Sequence, residues 1–216
     1  MNYVILEKAK PYTRIKRGRL EHVRGYTSKK GTGKISFESL GTLTHDVERN
    51  YEKETDAFVS KIRKGDQEIL DEYIGNPEDQ GRINFSLRSK NPDPKAEKIA
   101  DVFSKVAQPT SYDWTVYRGM SNKELKEWRL GTQQQIVSTS LDPEHAVMFI
   151  PGDGAVVQIS IPKGTKIVYG MPDEYEIILP PGTKFVVPSS RKILTGMSGF
   201  GISDQISFVN VRVRNS

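Results

Sequence analysis

The chain has 216 residues, 36% hydrophobic and 27% charged, enough apolar material for one folded domain with or without an extension. It has no cysteine, which excludes disulfides, a thiol nucleophile and a cysteine-type zinc site, and His22, His45 and His145 share no metal-ligand spacing, so no metal is expected. The net charge of +5 is uneven: residues 1–34 hold 10 Lys/Arg against 2 Glu, a balance of +8 that leaves −3 for the rest.

Residues 1–45 read as a basic N-terminal extension. Met1–Lys8 sets a glutamate in a short apolar run and is not a secretory signal, and no run is long enough to span a bilayer. The expectation is no membrane partner, and a cytoplasmic chain or one delivered into a host cell by a route the sequence does not show. Pro11–Arg19 and Arg24–Gly31 interleave basic residues with tyrosines and glycines without a lasting period. Such a segment suits a solvated arm or a tether to another protein. It also suits nucleic-acid contact through residues 1–34, with cations on phosphates and tyrosines on bases. Gly31-Thr32-Gly33-Lys34 lacks the glycine spacing of a phosphate loop.

From about His45 the apolar positions turn helical: Val47, Tyr51, Phe58, Ile62, Ile69 and Leu70, ending at Tyr73-Ile74-Gly75-Asn76-Pro77. A second helix is predicted over Gln80 to Arg88, and a third over Ala96 to Val106, with Ile99, Val102, Phe103 and Val106 in one stripe. After Pro109 strands dominate. Trp114–Gly119 is a strand, Asn122 to Leu130 a small helix, and Gln133 to Ser140 a polar strand. Asp142 and Pro143 are N-cap and first residue of a helix that runs to about Phe149. Gly154 to Ile161 is a strand with Val157, Ile159 and Ile161 on one side. The carboxylate-bearing run around Glu174–Leu179, Lys184 to Val187, Arg191 to Leu194 and Gln205 to Arg214 complete the set. Helices first and strands second predict an α+β domain with a mostly antiparallel sheet.

Three polar signals fall in the strand half. Tyr117-Arg118-Gly119 offers a bidentate cation at a strand end, with a glycine that lets backbone approach a ligand. Ser138-Thr139-Ser140 places two hydroxyls on one strand face. Glu174-Tyr175-Glu176 leads into Ile177-Ile178-Leu179, and strand alternation puts both glutamates on one side of the sheet. Each has a bland alternative in an ion pair, a polar edge strand or a solvated strand end.

Taken in order and at these intervals, the three motifs resemble the arginine-serine-glutamate class of mono-ADP-ribosyltransferases, to which the clostridial binary actin-modifying toxins and phage and bacterial effectors belong. Two further stretches are similar to the family: Ser138 through Phe149, with a phenylalanine eleven residues after the first serine, and Ile161–Thr165 followed later by Gly182-Thr183-Lys184-Phe185. The likeness covers roughly 46–214, so 46–216 is expected to be the catalytic domain. It implies a helical N-terminal half packed on a two-sheet, mostly antiparallel β core.

The resemblance also implies a chemistry. The substrate would be NAD⁺, with no metal. Arg118 would hold the pyrophosphate, Gly119 would meet the nicotinamide amide with its backbone, and Phe149 would stack near the ring. Tyr73 and Asn84 belong to a looser match in the helical half and are carried as NAD contacts. Ser138 would position Glu176, and Glu176 would stabilise the oxocarbenium-like ribose through its 2′-hydroxyl. Glu174 would engage the acceptor, and Glu-x-Glu goes in this family with an arginine of a target protein. Tyr169, Met171 and Glu174 are the expected acceptor-recognition residues. Met171 stands where the actin modifiers carry an aromatic residue, so actin is not the expected target. Two alternatives remain open: the same NAD⁺ chemistry with nucleic acid or water as acceptor, and a non-catalytic basic nucleic-acid-binding or phage structural module.

Overall fold

The computed structural model describes residues 34–41, 43–129, 133–151, 154–188, 191–195 and 206–214, together with the backbone of four short strands between residues 7 and 28. The chain separates into two compact units, Met1–Lys34 and Ile35–Ser216, ahead of the expected boundary at 45. In the first unit β1 (Glu7–Lys8) pairs antiparallel with β4 (Thr27–Ser28), and β2 (Tyr12–Lys16) pairs with β3 (Arg19–Val23). The basic segment thus contains paired strands although its sequence carries no lasting period, because cross-strand hydrogen bonding does not require alternating hydrophobicity.

From the unit boundary the chain runs through β5 (Lys34–Ser36), one turn of 3₁₀ helix, Phe37–Leu40, and then α1 (His45–Val59), α2 (Lys64–Ile74), α3 (Pro77–Leu87) and α4 (Pro94–Val106). Side-chain caps explain most of the starts. Thr44, Asn76 and Asp93 accept from the backbone amides of Val47, Asp79 and Ala96, and Pro77 and Pro94 open their helices with a preset φ. The predicted helix running unbroken from His45 is corrected to α1 and α2, separated at Ser60–Arg63. Apolar positions stay in phase across that break and no glycine or proline marks it. Arg63 nevertheless takes an extended backbone, with ψ 142°, as the N-cap of α2.

The strands follow: β6 (Gln108–Pro109), β7 (Trp114–Met120), then α5 (Asn122–Trp128), β8 (Val137–Ser140), α6 (Pro143–Met148), β9 (Ala155–Ile161), β10 (Lys166–Tyr169), β11 (Glu176–Leu179), β12 (Phe185–Val186), β13 (Lys192–Thr195) and β14 (Ile206–Val213). The polar strand expected from Gln133 forms only from Val137. Before it, the Gln133 backbone bonds to Thr183 and Gly182 in a loop-to-loop contact.

The sheet path is β5-β13-β14-β9-β7-β8-β11-β10-β6, with β12 on β14. Among the described pairs β14 with β9 is parallel, and β10 with β11, β10 with β6, β11 with β8, β12 with β14, β13 with β14 and β7 with β9 are antiparallel. Between β7 and β8 the register consists of one pair, Tyr117↔Ser140. That single link is the narrowest join in one 10-stranded path, and the helices with this mixed sheet give the expected α+β class. The main core lies between the helices and the strands, with Phe103, Val116, Trp128, Ile159 and Ile178 among its buried members. A second cluster, including Phe37, Tyr117, Val147 and Phe208, packs α6 and the Phe37–Leu40 turn on the opposite side.

Candidate active site

Where β7 and β8 part, their side chains line a cleft. Tyr117 and Ser140 make the last pair, so Arg118 on one strand and Ser138 on the other stand just beyond it. The cleft holds about 440 Å³ and is lined by Arg118, Gly119, Ser138, Ser140, Glu174 and Glu176, with His145 and Phe149 from α6 and Met171 from the turn before β11. Three motifs spread over sixty residues of sequence therefore meet in one place.

Glu176 is the first residue of β11 and is only 6% exposed. A buried carboxylate needs partners. Oε2 accepts from the backbone N–H of Met171 at 3.1 Å, and the nearby Ser138 side chain also favours the charged carboxylate. Burial still prevails: it pushes the Glu176 carboxyl above the usual range, against the lowering by Met171 and Ser138. Glu174 nearby pushes the same way as burial, and Arg118 opposes it. The wall on this side has no room for a side chain at Gly170, where a Cβ would lie 2.0 Å from Glu176 Oε2.

Glu174 reaches the cleft by a different route from the one expected. It is not on the strand face beside Glu176. It closes a 3₁₀ turn, Pro172–Glu174, and Tyr175 behind it takes a left-handed backbone with φ 47°. That conformation is uncommon for a residue with a side chain. It is secured by the Tyr175 hydroxyl on Glu48 Oε1 at 3.2 Å and by the ring's edge against Tyr51. Strand alternation fails here because the strand has not yet begun, yet the turn still brings both carboxylates into the same cleft.

The serines divide their work. The Ser138 side chain faces Glu176 and lowers its pKa, and the Ser138 carbonyl accepts from Arg118 Nη1 at 2.7 Å. The Ser140 hydroxyl donates to the Glu174 carbonyl at 2.7 Å and accepts from the Asp142 amide at 2.9 Å, which fixes the carboxylate turn to the start of α6. Arg118 is held by a second group that sequence reasoning missed. Its Nη2 lies 3.1 Å from Glu124 Oε1 on α5, and Gln135 Nε2 donates to the same oxygen at 2.9 Å. Nε of Arg118 is buried without a partner. At Gly119 a Cβ would stand 2.3 Å from the Ala146 carbonyl, so this glycine lets α6 close down on β7.

Phe149 is 60% exposed at the end of α6, on the cleft rim and not in the core. Tyr73 and Asn84 do not line the cleft. Tyr73 is buried, its hydroxyl accepts from Asn84 Nδ2 at 3.1 Å, and Asn84 Oδ1 accepts from the Ile136 amide at 2.9 Å, which ties α3 to the entry of β8. Tyr169 is also absent from the lining. It is 5% exposed, packs on Phe58 and points its hydroxyl at Glu54, 3.3 Å away. Met171 and Glu174, by contrast, are on the lining. Among the described residues no group of three or more histidines and carboxylates could hold a metal ion, and no helix is long and apolar enough to cross a membrane.

The sequence matches no protein-family model and no curated protein. The fold does match solved structures. Plx2a, an ADP-ribosyltransferase toxin from Paenibacillus larvae, superposes with a TM-score of 0.63 at 20% identity, over 79% of this chain and 96% of that one. The Clostridium limosum C3 exoenzyme gives 0.60 at 17% identity over 81% and 96%. BECa, the ADP-ribosylating toxin of a binary enterotoxin of C. perfringens, solved with NADH, gives 0.63 at 15% identity. Its match spans 97% of this chain and 56% of that chain. The chain has the fold of the ADP-ribosyltransferase toxins.

Proposed function

We propose that this protein is a mono-ADP-ribosyltransferase that cleaves the nicotinamide–ribose bond of NAD⁺ and passes ADP-ribose to an arginine of a target protein. One observation carries the reading: a nearly buried carboxylate, Glu176, fixed by the Met171 amide in a cleft that also holds Ser138, Arg118 and Glu174. Breaking the glycosidic bond puts positive charge on the ribose, and a prepositioned carboxylate in a water-poor site stabilises such charge most. Glu176 takes that role, with Ser138 as its positioning residue. Arg118, a permanent cation with a buried unpartnered Nε, takes the pyrophosphate. Gly119 supplies backbone to the nicotinamide amide, and Phe149 on the rim stacks against the ring.

The arginine acceptor follows from the second carboxylate. A guanidinium, with a pKa of about 12.5 or more, attacks only when a base orients it and accepts its proton. Glu174 lies in the same cleft as Glu176 and is the more exposed of the two, which suits a group that meets an incoming protein. Met171 beside it would touch that protein.

The test is nicotinamide release from NAD⁺, followed by transfer of labelled ADP-ribose to a cell lysate. Wild type is expected to release nicotinamide and Glu176→Gln to lose the activity by about 10²-fold or more. Protease-sensitive, RNase-resistant label and mass-spectrometric mapping to an arginine side chain complete the case. A wild type that behaves like Glu176→Gln means a fold kept without its chemistry.

A further inference from the structure

His145 and Glu174 face each other inside the cleft. The Asp142 cap starts α6 so that His145 points at the turn carrying Glu174, and its ring Nε2 stands 3.2 Å from Glu174 Oε2. The contact has the separation of an ion pair without the alignment of a hydrogen bond, and Nε2 is a buried nitrogen with no hydrogen-bond partner. The Phe149 ring packs against the imidazole, with centroids 5.4 Å apart. Glu176 is fixed by the Met171 amide, and no such bond is made to the Glu174 carboxylate among the described residues, where the ionisable neighbour across the cleft is His145.

We propose that His145 is the positioning residue for Glu174 and thereby sets whether the ribose goes to a guanidine or to water. The inference rests on the transferase reading above. In that reaction the acceptor's guanidine nitrogen bonds to ribose C1′. The bond from C1′ to the nicotinamide nitrogen breaks, its electron pair stays with the departing nicotinamide, and the attacking nitrogen releases one proton to Glu174. A side chain that is 32% exposed has freedom to turn away to solvent. The imidazole keeps the carboxylate turned into the cleft, where the guanidine must place its N–H. Water is small, needs no such alignment, and can reach the ribose with Glu176 alone in place. Losing His145 therefore costs transfer more than hydrolysis.

The experiment compares wild type, His145→Ala and His145→Gln with NAD⁺, with and without agmatine as a small guanidine acceptor, and measures nicotinamide release and the agmatine adduct separately. The ratio of transfer to hydrolysis is expected to fall about tenfold in His145→Ala, the scale of a misplaced catalytic group. It should largely recover in His145→Gln, whose amide can donate to the carboxylate from a similar position. Equal loss of both activities assigns His145 to the fold and overturns the inference, as does an unchanged ratio. Should the alanine variant fail to fold, His145→Leu, which keeps the bulk but cannot hold the carboxylate, decides: a fall of about tenfold in the ratio supports the assignment, and a ratio close to wild type overturns it. A wild type that hydrolyses NAD⁺ but leaves agmatine unmodified defeats the assignment while the NAD⁺ reading stands. A wild type that leaves NAD⁺ intact defeats both.

Discussion

The hydroxyl of Tyr51 on α1 donates to the main-chain carbonyl of Glu176 at 3.0 Å, and it lies 3.3 Å from the carbonyl of Met171. One helical side chain thus spans both ends of the turn that carries the carboxylates. Burial pushes this hydroxyl's pKa well up, so it stays a donor at any ordinary pH. Tyr169 and Tyr175 pack their rings edge-on against Tyr51 and complete the support behind the turn.

Tyr51→Phe keeps the ring contacts and deletes the donor. Both carbonyls retain other partners, since Glu176 O accepts from Gly170 N and Met171 O accepts from Glu176 N. The expected loss is therefore at the low end for a buried hydrogen bond, about 1 kcal/mol. Chemical denaturation measures it. Nicotinamide release should fall by more than stability alone explains, because the turn that orients Glu176 is loosened.

Gly170→Ala attacks the same carboxylate from the other side. Gly170 has no positive φ, so the constraint is space alone: the new Cβ would lie 2.0 Å from Oε2. Glu176 must leave its place or the backbone must shift. Nicotinamide release is expected to drop about 10²-fold with the circular-dichroism spectrum retained. Wild-type turnover in this variant would show that the carboxylate position is not critical.

The raised pKa of Glu176 makes two statements about pH. A working carboxylate must be ionised, so the acid limb of activity lies above the ordinary glutamate value of about 4.3. Ser138→Ala removes a hydroxyl that lowers the pKa, so the limb moves further up. For stability the sign is opposite to that of a salt-bridged acid. The native state prefers the protonated form, so the contribution is fully present below the unfolded pKa and is lost as pH rises through the folded one. Glu176→Gln is therefore expected to melt higher than wild type at pH 8, and the gap should close near pH 4. Thermal melts at both pH values check this.

Phe149→Ala separates binding from folding. The side chain is 60% exposed, so truncation should leave the melting temperature almost unchanged. A ring that stacks on the nicotinamide contributes about 1 kcal/mol, so KM for NAD⁺ is expected to rise about fivefold. Steady-state kinetics with varied NAD⁺ decide it.

Much of the fold could be read in advance where a periodic run also carried a cap. Asp142-Pro143 opens α6 as expected, α4 buries Ile99, Val102, Phe103 and Val106 as one stripe, and β9 buries Val157, Ile159 and Ile161. Errors came where geometry is set from outside the segment. The break between α1 and α2 leaves the apolar phase intact. The left-handed Tyr175 depends on Glu48 and Tyr51, more than a hundred residues earlier. Tyr73, Asn84 and Tyr169 carry no sequence mark that separates a buried partner from a cleft wall. Glu124 and Gln135, which hold Arg118, sit in segments that read as ordinary polar surface.

By itself the amino-acid order determined which groups are present and in what sequence: an arginine before a glycine, a hydroxyl strand and two acids ahead of an apolar run. It also determined the helices and strands that local hydrogen bonding and alternation suffice to build. Only the tertiary structure decided that these groups share one cleft, that one carboxylate is buried and the other open, and that an imidazole faces the open one. Those outcomes depend on strand register and on packing between distant segments, and burial, which changes a carboxylate's charge and reach, is a property of the assembled surroundings rather than of the residue.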